Sequence, residues 1–163
     1  MDFENKNTQI ILGAVVGVLI LILLIGVLTS GPRKRAQVTD LRSTMSKLNQ
    51  AVVIQNRITN GTMANKDKQQ LVNVFATRLK AKKKGEDFFI LKDGTAVIIK
   101  DVNPNCKADG SDKCADMLIK TKGKRSTNKI STAKKLTGTY AVELRAKRVY
   151  ASKDTEDVIR KIR

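Results

Sequence analysis

The sequence predicts an α+β chain in which a long N-terminal transmembrane and amphipathic helix leads into a small antiparallel-sheet head domain. Three observations predict it. An unbroken apolar run spans Ile10 to Leu28, an amphipathic stripe follows from Ala36 to Thr59, and beyond Gly85 the texture changes to short β-prone runs separated by turn residues. The corresponding division is a short polar N-terminus over 1–9, a transmembrane helix over 10–30, an amphipathic stem over 31–60 and a basic α+β head over 61–163.

A helix rising about 1.5 Å per residue needs roughly 20 apolar residues to cross about 30 Å of hydrocarbon. The run Ile10–Leu28, extended by Thr29 and Ser30, meets that length. Inside lipid only helical bonding satisfies its backbone. The segment opens on Asp2, Glu4 and Lys6 rather than on the basic start of a cleaved secretory signal, and its apolar core is longer, so it reads as a retained single-pass anchor whose partner is the lipid bilayer. Gly13 and Gly17 form one GxxxG step, a spacing that lets two anchors approach closely and self-associate. Arg33, Lys34 and Arg35 mark the membrane boundary, where each contributes on the order of 1 kcal/mol against anionic headgroups. One lysine before the span and three cations after it put the C-terminal domain in the cytoplasm by the positive-inside rule.

In the stem, Val38, Leu41, Met45, Leu48 and Val52 recur at spacings of three and four, the pattern of a helix that buries one face, here the face joining stem to head; Ile54 and Ile58 continue it on a slightly rotated line. Pro32 is the only breaker between anchor and stripe, which allows one kinked helix of about 75 Å ending at Asn60-Gly61. A second helical pattern runs from about Asn65 to Lys84, with Leu71, Val74, Phe75 and Leu79 on one face, and Gly85 closes it. Phe88–Leu91 and Thr95–Ile99 flank Lys92-Asp93-Gly94, a strong hairpin signal. A polar loop over Asp101–Asp116 leads to a short run at Met117–Lys120, the Lys, Ser and Thr-rich stretch Thr121–Thr137 reads as poorly ordered, Tyr140–Lys147 alternates as a half-buried strand, and Asp154–Ile162 reads as a closing helix.

Charge and composition bound the function. The chain of 163 residues has a net charge of +17; residues 1–30 carry net −1, leaving +18 on residues 31–163. Such a field attracts anionic partners, and both an acidic protein surface and nucleic acid are admitted. No DNA-binding motif is present, and the six aromatics, Phe3, Phe75, Phe88, Phe89, Tyr140 and Tyr150, mostly fall where a core would use them. With no histidine, Ser-His-Asp and Cys-His arrangements are absent, two cysteines do not fill a four-ligand zinc site, and Gly123-Lys124 lacks the upstream glycine of a phosphate loop. The composition therefore points to a non-enzymatic protein with no cofactor and no small-molecule substrate. Asp101, Asn103, Asn105, Asp109 and Asp112 follow the oxygen-ligand rhythm of calcium loops, but Cys106 stands where glycine makes the sharp turn and Asp112 is shorter than the usual glutamate; turns are built from the same residues, so no metal is assigned. Cys106 and Cys114 are compatible both with a small disulfide loop in an oxidising compartment and with two free thiols.

The order of parts, an apolar helix running into Arg35-Ala36-Gln37-Val38-Thr39-Asp40-Leu41, then Met45-Ser46-Lys47-Leu48-Asn49-Gln50-Ala51-Val52, Asn60-Gly61 and Leu91-Lys92-Asp93-Gly94-Thr95-Ala96-Val97, resembles type IV pilins and the pseudopilins of type II secretion. The resemblance implies a subunit held in the inner membrane by its long helix before assembly, that helix in the filament core afterwards, and a small antiparallel sheet in the outer head. It also implies a late disulfide loop, the part of Cys106 and Cys114, and a head on the outside, against the positive-inside rule. The prepilin leader glycine is absent, and Ile11 stands where the family's glutamate falls if Asn7 begins the mature chain. The alternative reading is a membrane-tethered basic scaffold or binding module, such as a virion membrane or minor capsid protein linking a lipid layer to a capsid or nucleic acid.

Overall fold

A computed structural model describes residues 32–58, 62–122, 129–132 and 135–162. The chain divides into two compact units, Met1–Ala36 and Gln37–Arg163. Of the first unit only residues 32–36 are described; they are helical and exposed, Arg33, Lys34 and Arg35 among them. The apolar run Ile10–Leu28, with Gly13 and Gly17, lies outside the described residues, as does the expected helix stop at Asn60-Gly61. Among the described residues no helix is long and apolar enough to cross a membrane.

The second unit is α+β. Helix α1 (32–58) enters it at Gln37, followed by α2 (Lys68–Arg78) and the strands β1 (Lys83–Lys84), β2 (Phe88–Ile90), β3 (Ala96–Val102), β4 (Lys113–Lys120), β5 (Thr139–Arg145) and β6 (Val149–Ala151), with α3 (Lys153–Lys161) last. The six strands form one antiparallel sheet in chain order, so every strand pairs with its neighbour in sequence. Period-two alternation sorts the side chains. Phe89, Val97, Ile119 and Tyr140 align across β2 to β5 on the inner face, with Ile99, Met117 and Val142 as the next row. All seven are buried.

The helices cover that inner face. On α1, Val38, Leu41, Leu48 and Val52 are buried and Met45 packs partly buried against the same core, so from Gln37 onward the stem belongs to the same compact unit as the head. The buried line continues through Ala51 and Gln55, while Ile54 and Ile58 are 43% and 62% exposed; the expected rotated stripe points outward. The reason is helical geometry, since Gln55 follows Val52 by three residues on the buried face whereas Ile54 falls about 200° from Val52. Gln55 also accepts a hydrogen bond from Arg78 of α2 at 3.0 Å, and Arg42 donates to the Ile159 carbonyl of α3 at 3.1 Å, so α1 lies between the two shorter helices.

Helix α2 is shorter than its sequence pattern at both ends. Asp67 caps it, accepting from the Gln70 N–H at 2.7 Å while the Gln70 side chain accepts from the Asp67 N–H at 3.0 Å, a reciprocal box that fixes the start. Asn65 upstream and Lys80 downstream both have left-handed φ (58° and 49°), which no helix interior tolerates. The lysines beyond belong to the sheet, because the Lys82 N–H donates to the Ile90 carbonyl at 2.8 Å. Gly85 accordingly ends no helix but turns β1 into β2, where a Cβ would overlap the Phe88 ring. The Asp93-Gly94 hairpin is present, with Gly94 at φ +88° and Asp93 Oδ1 accepting from the Thr95 N–H at 2.9 Å.

The polar loop region and the described part of Thr121–Thr137 are more ordered than their composition implies. The polar loop is confined to 103–112, because β3 runs to Val102 and β4 begins at Lys113, each strand absorbing an irregularity in its register. In Thr121–Thr137, residues 123–128 and 133–134 lie outside the described residues. Elsewhere Thr121, Ser131 and Thr137 are buried, Ser131 donating its N–H to the Thr139 carbonyl at 2.7 Å and its hydroxyl pairing with that of Thr137 at 3.0 Å. Hydroxyls here bring their own hydrogen-bond partners into the interior, which low apolar content conceals.

Tyr140 is fully buried and its hydroxyl has no partner within hydrogen-bonding distance among the described residues; burial pushes its pKa above the ordinary 10.0, the Asp40 charge adding to that and the Ser131 hydroxyl working against it. Because an unmet buried hydroxyl costs free energy, Tyr140→Phe is expected to leave stability unchanged or raise it by about 1 kcal/mol in urea unfolding; a loss above about 1 kcal/mol would mean the hydroxyl is bonded after all.

Candidate functional site

Three surfaces of the Gln37–Arg163 unit follow from this packing. The first is the outward face of α1. Ser43, Ser46 and Gln50 are small or polar there, and Val53, Ile54 and Ile58 extend the face as exposed aliphatics, Val53 at 43%. Lys47, near this face, is held by Asp93 of the β2–β3 turn at 2.7 Å. Burial works to raise the Asp93 pKa, but hydrogen bonds from Lys47 and from the N–H and hydroxyl of Thr95 outweigh it, and the Lys47 charge adds to them, leaving the pKa below 3.8. A depressed carboxylate adds stability above its unfolded value and loses it as pH falls through the folded value. The wild-type unfolding midpoint should therefore fall more steeply below about pH 3.8 than that of Asp93→Asn, with salt flattening the difference because both side chains are more than a third exposed. Parallel pH curves for the two proteins would show that the pair is not coupled to folding.

The second surface is the β3–β4 loop. Cys106 and Cys114 are joined, with an S–S distance of 1.99 Å, and both are buried at the base of the loop. The calcium-like residues do not converge. Asn103 Oδ1 accepts from the Asn105 N–H at 3.1 Å and Asp109 Oδ1 from the Ser111 N–H at 2.7 Å, so these oxygens turn back onto the loop's own backbone. That hydrogen bond from Ser111, with the nearby charges of Lys107 and Lys147, lowers the Asp109 pKa. Asp101 is exposed on β3 and Asp112 half-buried just before β4. Among the described residues no group of three or more His, Cys, Asp or Glu is placed to hold a metal ion.

The third surface is a groove of about 590 Å³ between α1, β6 and α3. Met45, Val149 and Ile159 form its floor, and Arg42, Arg148 and Tyr150 stand at its rim. Asn49 fastens the groove's wall to the sheet: its Oδ1 accepts from the Val149 N–H at 2.7 Å and its Nδ2 donates to the Val149 carbonyl at 3.3 Å. Tyr150, 44% exposed, pairs with Glu143 across the outer sheet face, and the guanidinium carbons of Arg145 and Arg148 lie 5.1 and 5.8 Å from its ring centre. Tyr150 is thus an aromatic that the core does not use. Phe88 also faces away from the helices, half-buried in a row with Ile98, Leu118 and Ala141.

Sequence periodicity identifies the buried stripe of α1 but not this groove. Arg42 and Asn49 fall beside the stripe, and the residues they meet are 117 and 100 positions away. The one local signal is Tyr150 within Arg145-Ala146-Lys147-Arg148-Val149-Tyr150, an aromatic amid cations on an outward strand position.

Comparison of the chain with family models, with curated proteins and with solved structures gives no match.

Proposed function

We propose that this chain is a non-enzymatic, single-pass membrane-anchored structural subunit of pilin-like organisation, held in lipid by Ile10–Leu28 and assembling through its N-terminal helix. The observation that carries the reading is the division of labour on α1. One face is spent on the head's core, and the opposite face leaves Val53, Ile54 and Ile58 exposed in a chain otherwise studded with lysine and arginine. Exposed clustered aliphatics mark association surfaces, and here exposed Arg57 stands on the same face between Ile54 and Ile58.

The sheet's edges support the same reading by exclusion. At one end β1 is two exposed lysines, and at the other the β6 main chain at Val149 is occupied by Asn49. Short, charged or covered edges suppress strand-to-strand addition, so assembly through the helix is the route left open. The Cys106–Cys114 bridge favours a head on the oxidising side of the membrane.

The test is assembly of the full chain in its membrane. Ile54→Lys with Ile58→Lys changes only exposed positions, so folding stability should move by less than about 0.5 kcal/mol while assembly is lost. Gly17→Leu and Val18→Lys in the apolar run should have the same effect on assembly. If all of these variants assemble like wild type, helix packing is not the organising contact. The second reading, a membrane-tethered binding module, is favoured by the groove, where Arg42 and Arg148 meet no carboxylate among the described residues; binding through charge weakens steeply with added salt, whereas apolar helix packing does not.

A further inference from the structure

The groove between α1, β6 and α3 brings together an apolar floor, two cations and a fixed wall, and its volume of about 590 Å³ lies within the range of ligand pockets, about 300–1,000 Å³. Arg42 and Arg148 are exposed and neither is paired with a carboxylate among the described residues, Arg42 donating to the Ile159 carbonyl at 3.1 Å and Arg148 lying 5.8 Å from the Tyr150 ring centre, whereas Arg145 beside that ring has Glu143 at 3.8 Å. No carboxylate lines the groove. We infer that this groove is a docking site for an acidic polypeptide segment of a partner protein, an apolar side chain seated on Met45, Val149 and Ile159 and flanking carboxylates taken by Arg42 and Arg148.

Three features select that occupant. Guanidinium groups bind carboxylates in bidentate fashion and hold them better than point charges do. Strand addition along β6 is closed at Val149, whose N–H and C=O both go to Asn49, so recognition runs through side chains. Stacking of nucleic-acid bases needs a free ring face and successive aromatics, whereas Arg145 and Arg148 already flank the Tyr150 ring and the floor is aliphatic. The net charge of +17 steers acidic partners from a distance, and the groove decides where they stop. This assignment does not depend on the membrane-anchored reading.

The experiment uses the full chain in detergent and a fluorescein-labelled nonapeptide of glutamate with leucine at every third position, followed by anisotropy at fixed salt. Arg148→Glu, at an exposed position, is expected to weaken peptide binding at least tenfold with an unchanged unfolding midpoint. Lys83→Glu makes the same charge change on β1 at the opposite edge of the sheet and is expected to weaken it less than twofold. Replacing the peptide's leucines by serine should cost a further several-fold in wild type. Equal losses for Arg148→Glu and Lys83→Glu, or no loss in either, would overturn the assignment in favour of diffuse charge attraction. Displacement of the peptide by nine-nucleotide oligothymidine at lower concentration than by unlabelled peptide would overturn it in favour of nucleic acid.

Discussion

Phe89→Ala is expected to cost about 4 kcal/mol of folding stability, among the largest effects of a single side-chain truncation in the sheet. Phe89 is fully buried at the inner face of β2, beside Val97 in the adjoining strand, and its ring stacks on Phe75 of α2 with centroids 5.8 Å apart and planes 16° from parallel. Truncation removes the apolar contact, the ring pair and the wedge that keeps α2 on the sheet, and leaves a cavity that a rigid strand closes poorly. Domains of this size have about 5–15 kcal/mol in all, so the variant should sit near its unfolding threshold. Phe88→Ala, one residue away on the half-buried outer face, should cost well under half as much. Urea unfolding with unchanged slope reads both values. Equal losses at 88 and 89 would show that the two faces of the sheet are not distinguished as described.

Removing the Cys106–Cys114 bridge, by reduction or as Cys106→Ala with Cys114→Ala, is expected to cost about 2.5 kcal/mol, the loop-closure entropy of a ring of about nine residues. For a unit of this size that corresponds to an unfolding midpoint lower by about 10 °C. That entropy is regained by the unfolded chain, while in the folded state the effect of losing the bridge should be local. The loop it pins lies against the β5–β6 turn, where the Arg145 guanidinium donates to the Ser111 carbonyl at 3.4 Å, so amide exchange should quicken first over residues 103–112. An unfolding midpoint indifferent to reductant would mean that the bridge is not formed in solution.

What could be read from the chain alone was what local pattern controls. The spacing of Val38, Leu41, Met45, Leu48 and Val52 identified the buried face of α1, Asp93-Gly94 identified the hairpin, and alternation from Tyr140 identified β5, because each is decided by neighbours within a few residues. Failures occurred where a distant partner decides. Lysines 82–84 suit a helix terminus by charge, yet left-handed Lys80 and the Ile90 carbonyl divert them into a strand. Lys113 to Asp116 read as loop because their polar side chains pair outward, Lys113 with Asp116 at 2.7 Å, while the backbone pairs with β3 and β5. That pairing with Asp116 is also what raises the Lys113 pKa. The groove was illegible for the same reason, since its two rims are more than a hundred residues apart in sequence.

The strands pair in chain order, but the helix that covers them comes first and is fastened last. Asn49 waits for Val149, Asn56 for Ala146 and Arg42 for Ile159. During synthesis each hairpin can close as it emerges, a low-separation process that is fast. The apolar stripe of α1 has no complete cover until the final strand and helix have left the ribosome. The chain therefore passes most of its synthesis with that stripe only partly sheltered, and the head becomes a finished surface in one late step.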